Sequence, residues 1–551
     1  MLPPDIKGVY REDSRARSAY AEGAGIYRIL PRAVCLPIDH EDLVRVVQWA
    51  ADHRVPLIPR GAGSAMGGGN VGDGVIVDLT RLSGQRLAID AAEREAVTGA
   101  AVTLAQLTAA AAGHGLRLPP DPSSGSWATL GGMVATNAAG ARSVRYGSVR
   151  RWVESLTLLT ADGEPVTLRR GARSSSGALS RFETGVAPAV RAAAPLIQRR
   201  FPHTRKNSSG YALDAYLRSG DILDLLIGAE GTLGIITEVT WRLDAIPRCR
   251  AGLRAAFAST ELIGKAIRAL EPCDPSAVEL LDRTFLDIVA GNDLARAHLR
   301  FSGAEAVLLV ELERDDACAL REAVENATAG LRPIASAVDT AFTVEAAERL
   351  WSIRHAASPM LARLPEQRRS LQVIEDACVP VDRMGEYIRF VRQAASTRGI
   401  PVVMFGHAGD GHIHVNLLPD VAQAGWQSSV AALLEEVTTA VVRLGGTPSG
   451  EHGDGRLRAH LLERVYGPEI VALFGRLKQA FDPAGIFNPG VILPSAEPAI
   501  SRLKVGESAV PLPPDLEQAL REIERTGGYG RSRLDLAGEL QSGVRGQESG
   551  S

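Results

Sequence analysis

Residues 59–70 read Pro-Arg-Gly-Ala-Gly-Ser-Ala-Met-Gly-Gly-Gly-Asn, after the apolar run Val55-Pro56-Leu57-Ile58 and shortly before Gly74-Val75-Ile76-Val77-Asp78-Leu79. A strand that enters a glycine-rich turn makes a phosphate cradle, because successive backbone N–H groups can approach an anion closely. The spacing is neither G-x-G-x-x-G with a following helix nor the GxxxxGK[ST] nucleotide loop. A second strand returns where a Rossmann unit would place a helix, so a Rossmann reading fits badly. A long hairpin loop is the plain structural alternative.

Two further stretches share this texture. Residues 118–147, LPPDPSSGSWATLGGMVATNAAGARSVRYG, combine a stiff proline segment with small residues. Small side chains suit backbone lying against a flat, extended ligand, or close packing between elements. Residues 225–239, LLIGAEGTLGIITEV, pass from a glycine turn into a strand. Between them, residues 153–160 and 165–168 predict paired strands around Ala161-Asp162-Gly163, and residues 44–53 predict a helix with Glu41 and Asp42 near its start.

The chain has 551 residues, enough for two to four domains. Hydrophobic residues make up 45% and charged residues 23%, sufficient for a large core. A net charge of −3 gives no reason to expect nucleic-acid binding. No apolar run reaches transmembrane length and the first residues lack an apolar signal core, so a cytoplasmic protein is expected. A peripheral contact at the inner face of the membrane stays open. Cys35, Cys249, Cys273, Cys318 and Cys378 are scattered and include no CxxC pair, which suggests neither an iron–sulfur cluster nor a disulfide framework.

After about residue 247 the glycines thin out. Residues 304–312 and 371–379 predict strands, and residues 315–328 and 384–397 amphipathic helices. Residues 404–416, MFGHAGDGHIHVN, then place His407, His412 and His414 within eight positions. The alternation over 412–417 predicts a half-buried strand with His412, His414 and Asn416 on one face. A loop histidine followed by a strand histidine can set two imidazoles around a divalent metal; a hydrogen-bonded polar layer is an equal alternative. Residues 449–455, SGEHGDG, set Glu451 beside His452. That carboxylate can complete a His-His-Glu set with an open position and leave His452 as a base; a surface Glu–His pair is the plainer reading. Predicted helices over 432–443 and 469–481 lead into residues 449–455 and 482–490, and the last of these reads DPAGIFNPG.

The three glycine-rich stretches resemble the FAD-binding domain of the vanillyl-alcohol oxidase (PCMH) type. MFGHAGDGHIHVN, SGEHGDG and FDPAGIFNPG resemble its branch of D-lactate dehydrogenase, glycolate oxidase and D-2-hydroxyglutarate dehydrogenase. The resemblance covers roughly residues 20–494. It implies an α+β protein: a two-subdomain FAD-binding domain over 1–247, a substrate or cap domain with a metal site over 248–465, a segment returning to the flavin over 466–494, and a polar, disordered tail over 495–551. Within the tail, residues 515–525 can form a short helix. FAD is expected against Pro59, Arg60, Gly61, Ala62, Gly63, Ser64 and Gly67, with further contacts at Pro120, Asp121, Thr129, Gly131, Gly132, Thr136, Asn137 and Gly140. Glu230, Gly231, Gly234, Ile236 and Asn488 complete the implied cofactor contacts. Relatives that hold flavin covalently often carry a histidine after the first glycine pair; Ser64 stands here, so noncovalent FAD is expected.

By the same resemblance His407, His414 and Glu451 hold a divalent metal, Zn²⁺ being favoured, and His412, where relatives commonly have asparagine, is not counted as a ligand. A 2-hydroxy acid offers adjacent oxygens that such an ion can chelate. His452 is the expected base, Arg354 of the Trp351-Ser352-Ile353-Arg354 run grips a carboxylate, and Asn416 bonds the substrate, while the hydride passes to flavin N5. Glu375 replaces the lysine found beside the corresponding aspartate in 2-hydroxyglutarate enzymes, and Arg368 and Arg369 lie nearby, so D-lactate or a similar short acid is favoured and glycolate and D-2-hydroxyglutarate stay open. The electron acceptor, whether quinone, cytochrome, electron-transfer flavoprotein or a partner iron–sulfur subunit, leaves no mark in these motifs. A flavin subunit needing that partner and a non-redox alkyl-dihydroxyacetone-phosphate synthase-like enzyme are the competing classes.

Overall fold

The computed structural model describes residues 2–290, 303–355, 361–362 and 364–538. The first glycine-rich turn leaves a small sheet ordered Val9–Arg11, Ala33–Leu36, Val75–Asp78, Leu57–Arg60, in which the last three strands are parallel. The helix His40–His53 connects two of them. Asp39 caps it by accepting from the Asp42 N–H, Glu41 and Asp42 oppose its dipole, and Leu43, Val46, Val47 and Ala50 form its buried face. A second, antiparallel sheet runs Leu87–Asp90, Glu95–Gly99, Ile235–Arg242, Val153–Leu159, Pro165–Arg169. The glycine-rich stretches lie where these two units face each other.

A third sheet has seven strands, in the order Ala337–Ala341, Cys249–Phe257, Ala306–Arg314, Ala277–Asp282, Val402–Gly406, His412–Leu417, Ala377–Cys378. The helices Ile263–Leu270, Ala317–Leu331, Met384–Ser396 and Trp426–Arg443 share one apolar core with one face of it. The strand period of two puts Val278 and Leu280 in that core and sends Glu279 to the other face. The strand His412–Leu417 is buried along its whole length, not half-buried as its alternation suggested. Its polar face is covered by residues 375–376 and 449–452. The strand expected over 371–379 shrinks to Ala377–Cys378, because the chain turns at Glu375 and Asp376 and carries both carboxylates inward. Helix Pro468–Phe481 returns to the core of the antiparallel sheet, and Leu57 accepts from the Asn488 N–H, so residues 486–488 extend the small sheet.

The expected disorder after residue 494 needs correction through residue 538; residues 539–551 lie outside the described part. Leu516, Leu520 and Ile523 recur at helical spacing on Pro514–Thr526 and pack against Ala16, Ala19, Tyr20, Ile58 and Ile76. Arg15–Asp515 and Arg28–Glu517 pairs add polar contacts to this docking. The rest of the segment is polar enough to resemble a tail by composition. Among the described residues no helix is long and apolar enough to cross a membrane.

Ion pairs fasten the third sheet to residues 117–146 of the glycine-rich part of the chain. Glu313 accepts from Arg117 Nη1 at 3.0 Å and Nη2 at 2.9 Å and from the Tyr146 hydroxyl at 2.7 Å. Glu311 accepts from Arg142 Nε at 2.7 Å, and Arg142 also reaches Asp121. Burial alone would raise the Glu313 carboxyl, but the Arg117 hydrogen bonds and charge outweigh it and hold it at about 2. A carboxyl held below its ordinary 4.5 stabilises the fold above that value and loses the contribution as pH falls towards 2. We predict that the thermal midpoint of the wild type drops through this window more steeply than that of Glu313→Gln. The variant itself should lose about 1–3 kcal/mol at neutral pH, because the half-buried Arg117 and the Tyr146 hydroxyl lose a charged acceptor.

Candidate active site

One cavity of about 1120 Å³ runs between the glycine loops and the third sheet. Its first end is rich in glycine: Gly61–Ser64, Gly131, Gly132, Gly231 and Gly234 form much of the wall. A Cβ on Gly61 would lie 2.2 Å from Thr129 Oγ1, so the loop needs glycine to sit this close. The space therefore exists because side chains are missing from its walls, as a flat, extended cofactor requires. Pro59, Arg60, Asp121, Thr129, Thr136, Gly140, Glu230 and Ile236 also line it.

Several expected cofactor contacts are engaged in holding the loops themselves. The Arg60 side chain donates to the Tyr20, Glu22 and Asn70 carbonyls and braces the loop from behind. Gly67 accepts from the Arg456 and Leu457 N–H groups and fixes that turn. Asn488 donates from Nδ2 to the Gly69 and Glu230 carbonyls, joining two loops. Neither Gly67, Pro120, Asn137 nor Asn488 lines the cavity.

At the other end His407, His414, Asn416, Glu451, His452 and Arg354 come together. His407 leaves the end of the strand Val402–Gly406 and His414 lies on the next strand. Gly411 makes the connection at φ +79°, where a Cβ would meet the Val379 carbonyl oxygen at 1.9 Å. His407 Nδ1 meets Glu279 Oε1 at 2.5 Å, and His414 Nδ1 donates to the Glu375 carbonyl at 3.0 Å. Both rings therefore turn Nε2 towards the same point. Nε2 of His407 and His414 lie 3.4 Å apart, and Glu451 Oε1 is 3.3 Å and 3.5 Å from them. These edges match the ~3.4 Å between ligands of a tetrahedral centre with Zn–N and Zn–O bonds of about 2.0–2.1 Å. Three lone-pair donors converging in a buried space repel each other unless a cation or a proton lies among them.

The surrounding charge points the same way. Glu279, Glu375, Asp376 and Glu451 are buried, against Lys206, Arg354 and Arg458 as their fixed cations. Burial would lower His407, but Glu279 overrides it and lifts the ring to about 9. Burial would likewise raise Glu451, but Lys206 and His407 hold it well below the ordinary carboxylate range. The residues thus fit a divalent cation, which would take the place of the proton that Glu279 draws onto His407.

His452 is oriented by a carboxylate. Its Nδ1 meets Glu375 Oε2 at 2.7 Å, while its Nε2 lies 3.4 Å from Glu451 Oε1. Burial would lower the ring, but Glu375 and Asp376 raise it well above its ordinary value. Arg354 is held by Glu279 through Nε at 2.8 Å, with its guanidinium 4.5 Å from the Phe405 ring centroid. His412 does not line the cavity. Its Nε2 bonds Asp376 at 2.9 Å, its Nδ1 has no hydrogen-bond partner among the described residues, and burial, then the nearby His414, push it down to about 3. Asp376 also accepts from Ser449 Oγ and from the Glu451 and His452 N–H groups, so it fixes the whole second loop.

Lys206 and Glu279 escaped the sequence reading. Lys206 donates to Glu451 Oε2 at 2.8 Å across 245 positions, and Glu279 reaches His407 across 128. Neither lies in a glycine-rich or histidine-rich stretch, so nothing local marks them.

Comparison with known proteins places this geometry. The FAD binding domain profile matches residues 31–169, and the profile of FAD linked oxidases, C-terminal domain, matches residues 246–492. The D-lactate dehydrogenase of Archaeoglobus fulgidus is 32% identical over 473 residues, covering 84% of this chain and 93% of that protein. The glycolate oxidase subunit GlcD of Bacillus subtilis is 30% identical over 467 residues, 84% and 89% of the two chains. The D-2-hydroxyglutarate dehydrogenase of Pseudomonas putida is 28% identical over 511 residues, 88% of this chain and 50% of that one. Among solved structures, 4-ethylphenol oxidase from Gulosibacter chungangensis matches with a TM-score of 0.63 at 16% identity, over 88% and 94% of the chains. An alkyldihydroxyacetonephosphate synthase matches at 0.58 and 17%, over 89% and 84%. These two likenesses show the fold, and together with the FAD binding domain profile they support the expected FAD-binding unit of the vanillyl-alcohol oxidase type. The chain belongs to the FAD-linked oxidases, in the branch of D-lactate dehydrogenase, glycolate oxidase and D-2-hydroxyglutarate dehydrogenase, and is an FAD-linked oxidoreductase.

Proposed function

We propose that this enzyme oxidises a D-2-hydroxy acid to the 2-oxo acid, with FAD held noncovalently and a divalent cation, Zn²⁺ by its donor set, at His407, His414 and Glu451. The observation that carries the reading is the convergence of those three donors at one end of a cavity whose other end is a glycine-walled slot. No cysteine is among the described residues lining that cavity, and its histidines are the three of the polar cluster, in keeping with noncovalent flavin. When bound, FAD supplies a two-electron acceptor at N5, and the cation supplies Lewis acidity towards the substrate's hydroxyl and carboxylate oxygens.

The chain's residues do the rest. His452, held at Nδ1 by Glu375, presents Nε2 to the cavity and, in the neutral form that a cation bound beside it would favour, takes the hydroxyl proton. Arg354 pairs with a substrate carboxylate, its Nε anchored by Glu279 so that the fork keeps one orientation. Asn416 bonds a substrate oxygen from the same strand face as His414. Lys206 holds Glu451 through its second oxygen and leaves Oε1 for the donor set.

Anaerobic addition of a D-2-hydroxy acid to the flavin-loaded protein is expected to bleach the flavin absorbance, and the L-enantiomer to leave it unchanged. D-Lactate, glycolate and D-2-hydroxyglutarate are the acids to try first. Chelation should slow the bleaching and added metal restore it. Bleaching indifferent to chelator would remove the cation from the mechanism, and no bleaching by any such acid would overturn the whole assignment.

Two substitutions separate the roles. Glu451→Gln is expected to release the metal, read by elemental analysis after dialysis. His452→Asn should keep the metal and lose ~10²–10⁴-fold in the rate of flavin reduction, the usual range for a positioned base.

A further inference from the structure

The cavity has a second polar wall, made where the C-terminal helix Pro514–Thr526 meets residues 366–372 of the third-sheet domain. Arg369 and Arg521, both largely buried, line it, and Arg525 joins them. Two carboxylates serve this group. Glu366 meets Arg369, Arg521 and Arg525, and Glu524 meets Arg369, Arg521 and Lys504. Four cations thus share two anions. Burial would raise Glu524, but Lys504, Arg369 and Arg521 hold it at about 2, so its charge is already counted and positive charge remains in excess. Arg369 is 5% exposed and its Nε has no hydrogen-bond partner among the described residues. A buried guanidinium N–H without an acceptor is costly, and an anion arriving from the cavity would relieve it.

The cluster is tied to the reacting end. Ser370, next to Arg369, donates from Oγ to Asn416 Oδ1 at 2.9 Å, and Asn416 stands two residues from His414, roughly 7 Å along the same strand face. An acid gripped near His414 therefore has the basic wall beyond Asn416. We propose that Arg369 and Arg521 form an anion subsite that favours 2-hydroxy acids bearing a second, distal carboxylate. This rests on the D-2-hydroxy acid reading above and narrows its substrate class. It also gives the C-terminal segment a part in specificity, since Arg521 and Glu524 come from it.

The test compares acids of equal length with and without the distal charge: D-malate against D-2-hydroxybutyrate, and D-2-hydroxyglutarate against D-2-hydroxyvalerate. Anaerobic stopped-flow reduction of the flavin gives kred/Kd for each. The wild type should prefer the charged member of at least one pair by about tenfold or more. Arg521→Met should lower that preference, and Glu524→Gln, which removes an anion from the wall, should raise it. Opposite signs distinguish a subsite from a clamp, because both substitutions loosen a clamp. Equal or lower kred/Kd for the charged acids, or a fall in preference in both variants, overturns the subsite while the dehydrogenase reading stands. Failure of every acid, charged or not, to reduce the flavin overturns the parent reading and this one with it.

Discussion

The site depends on keeping a buried carboxylate, Glu451, ionised beside two imidazoles. Removing a charge from water is expensive unless it is paired and hydrogen-bonded. Lys206 meets this requirement from one side, and His407 and His414 complete the surroundings from the other. Each partner is itself held: His407 by Glu279, His414 by the Glu375 carbonyl, and the loop carrying Glu451 by Asp376. Rigid outer contacts of this kind fix the ring orientation and tautomer that a metal-binding imidazole needs.

This arrangement constrains the fold around it. Glu279 must leave a strand of the third sheet on the face away from its apolar core, which the strand period allows. Lys206 must arrive from the glycine-rich domain, so the site closes only when the two bodies are docked. The Glu311 and Glu313 pairs with Arg117 and Arg142 hold that docking in register. The cavity then has one end defined by absent side chains and another by convergent charges, a division that suits a broad cofactor meeting a small acid.

Some of this was legible locally. Glycine in close-approach turns has a strong signature, because few other residues tolerate those backbone angles or that crowding, and the three glycine-rich stretches do build the slot. The histidine run and the Glu451–His452 pair also meet as expected. Their chemistry depends on residue types set a few positions apart, and a turn followed by a strand carries them to one place. The helices ending at His53, Ser396, Arg443 and Phe481 stop within a residue of where apolar spacing puts them, while two of them begin earlier than expected, at His40 and Trp426.

What the chain decides by itself is therefore the set of glycine turns, the amphipathic helices and the histidine–carboxylate vocabulary of the site. The tertiary structure alone decides which distant groups complete it. Lys206, Glu279 and Arg458 are ordinary charged residues until folding places them beside Glu451, His407 and Glu375. The segment after residue 494 looks like a solvated tail because its composition is polar. It is folded through residue 538 because Leu516, Leu520 and Ile523 find an apolar face hundreds of positions away, and Arg521 finds Glu366 across 155 positions. Burial and pairing of charge are properties of the assembled neighbourhood, and no local pattern encodes them.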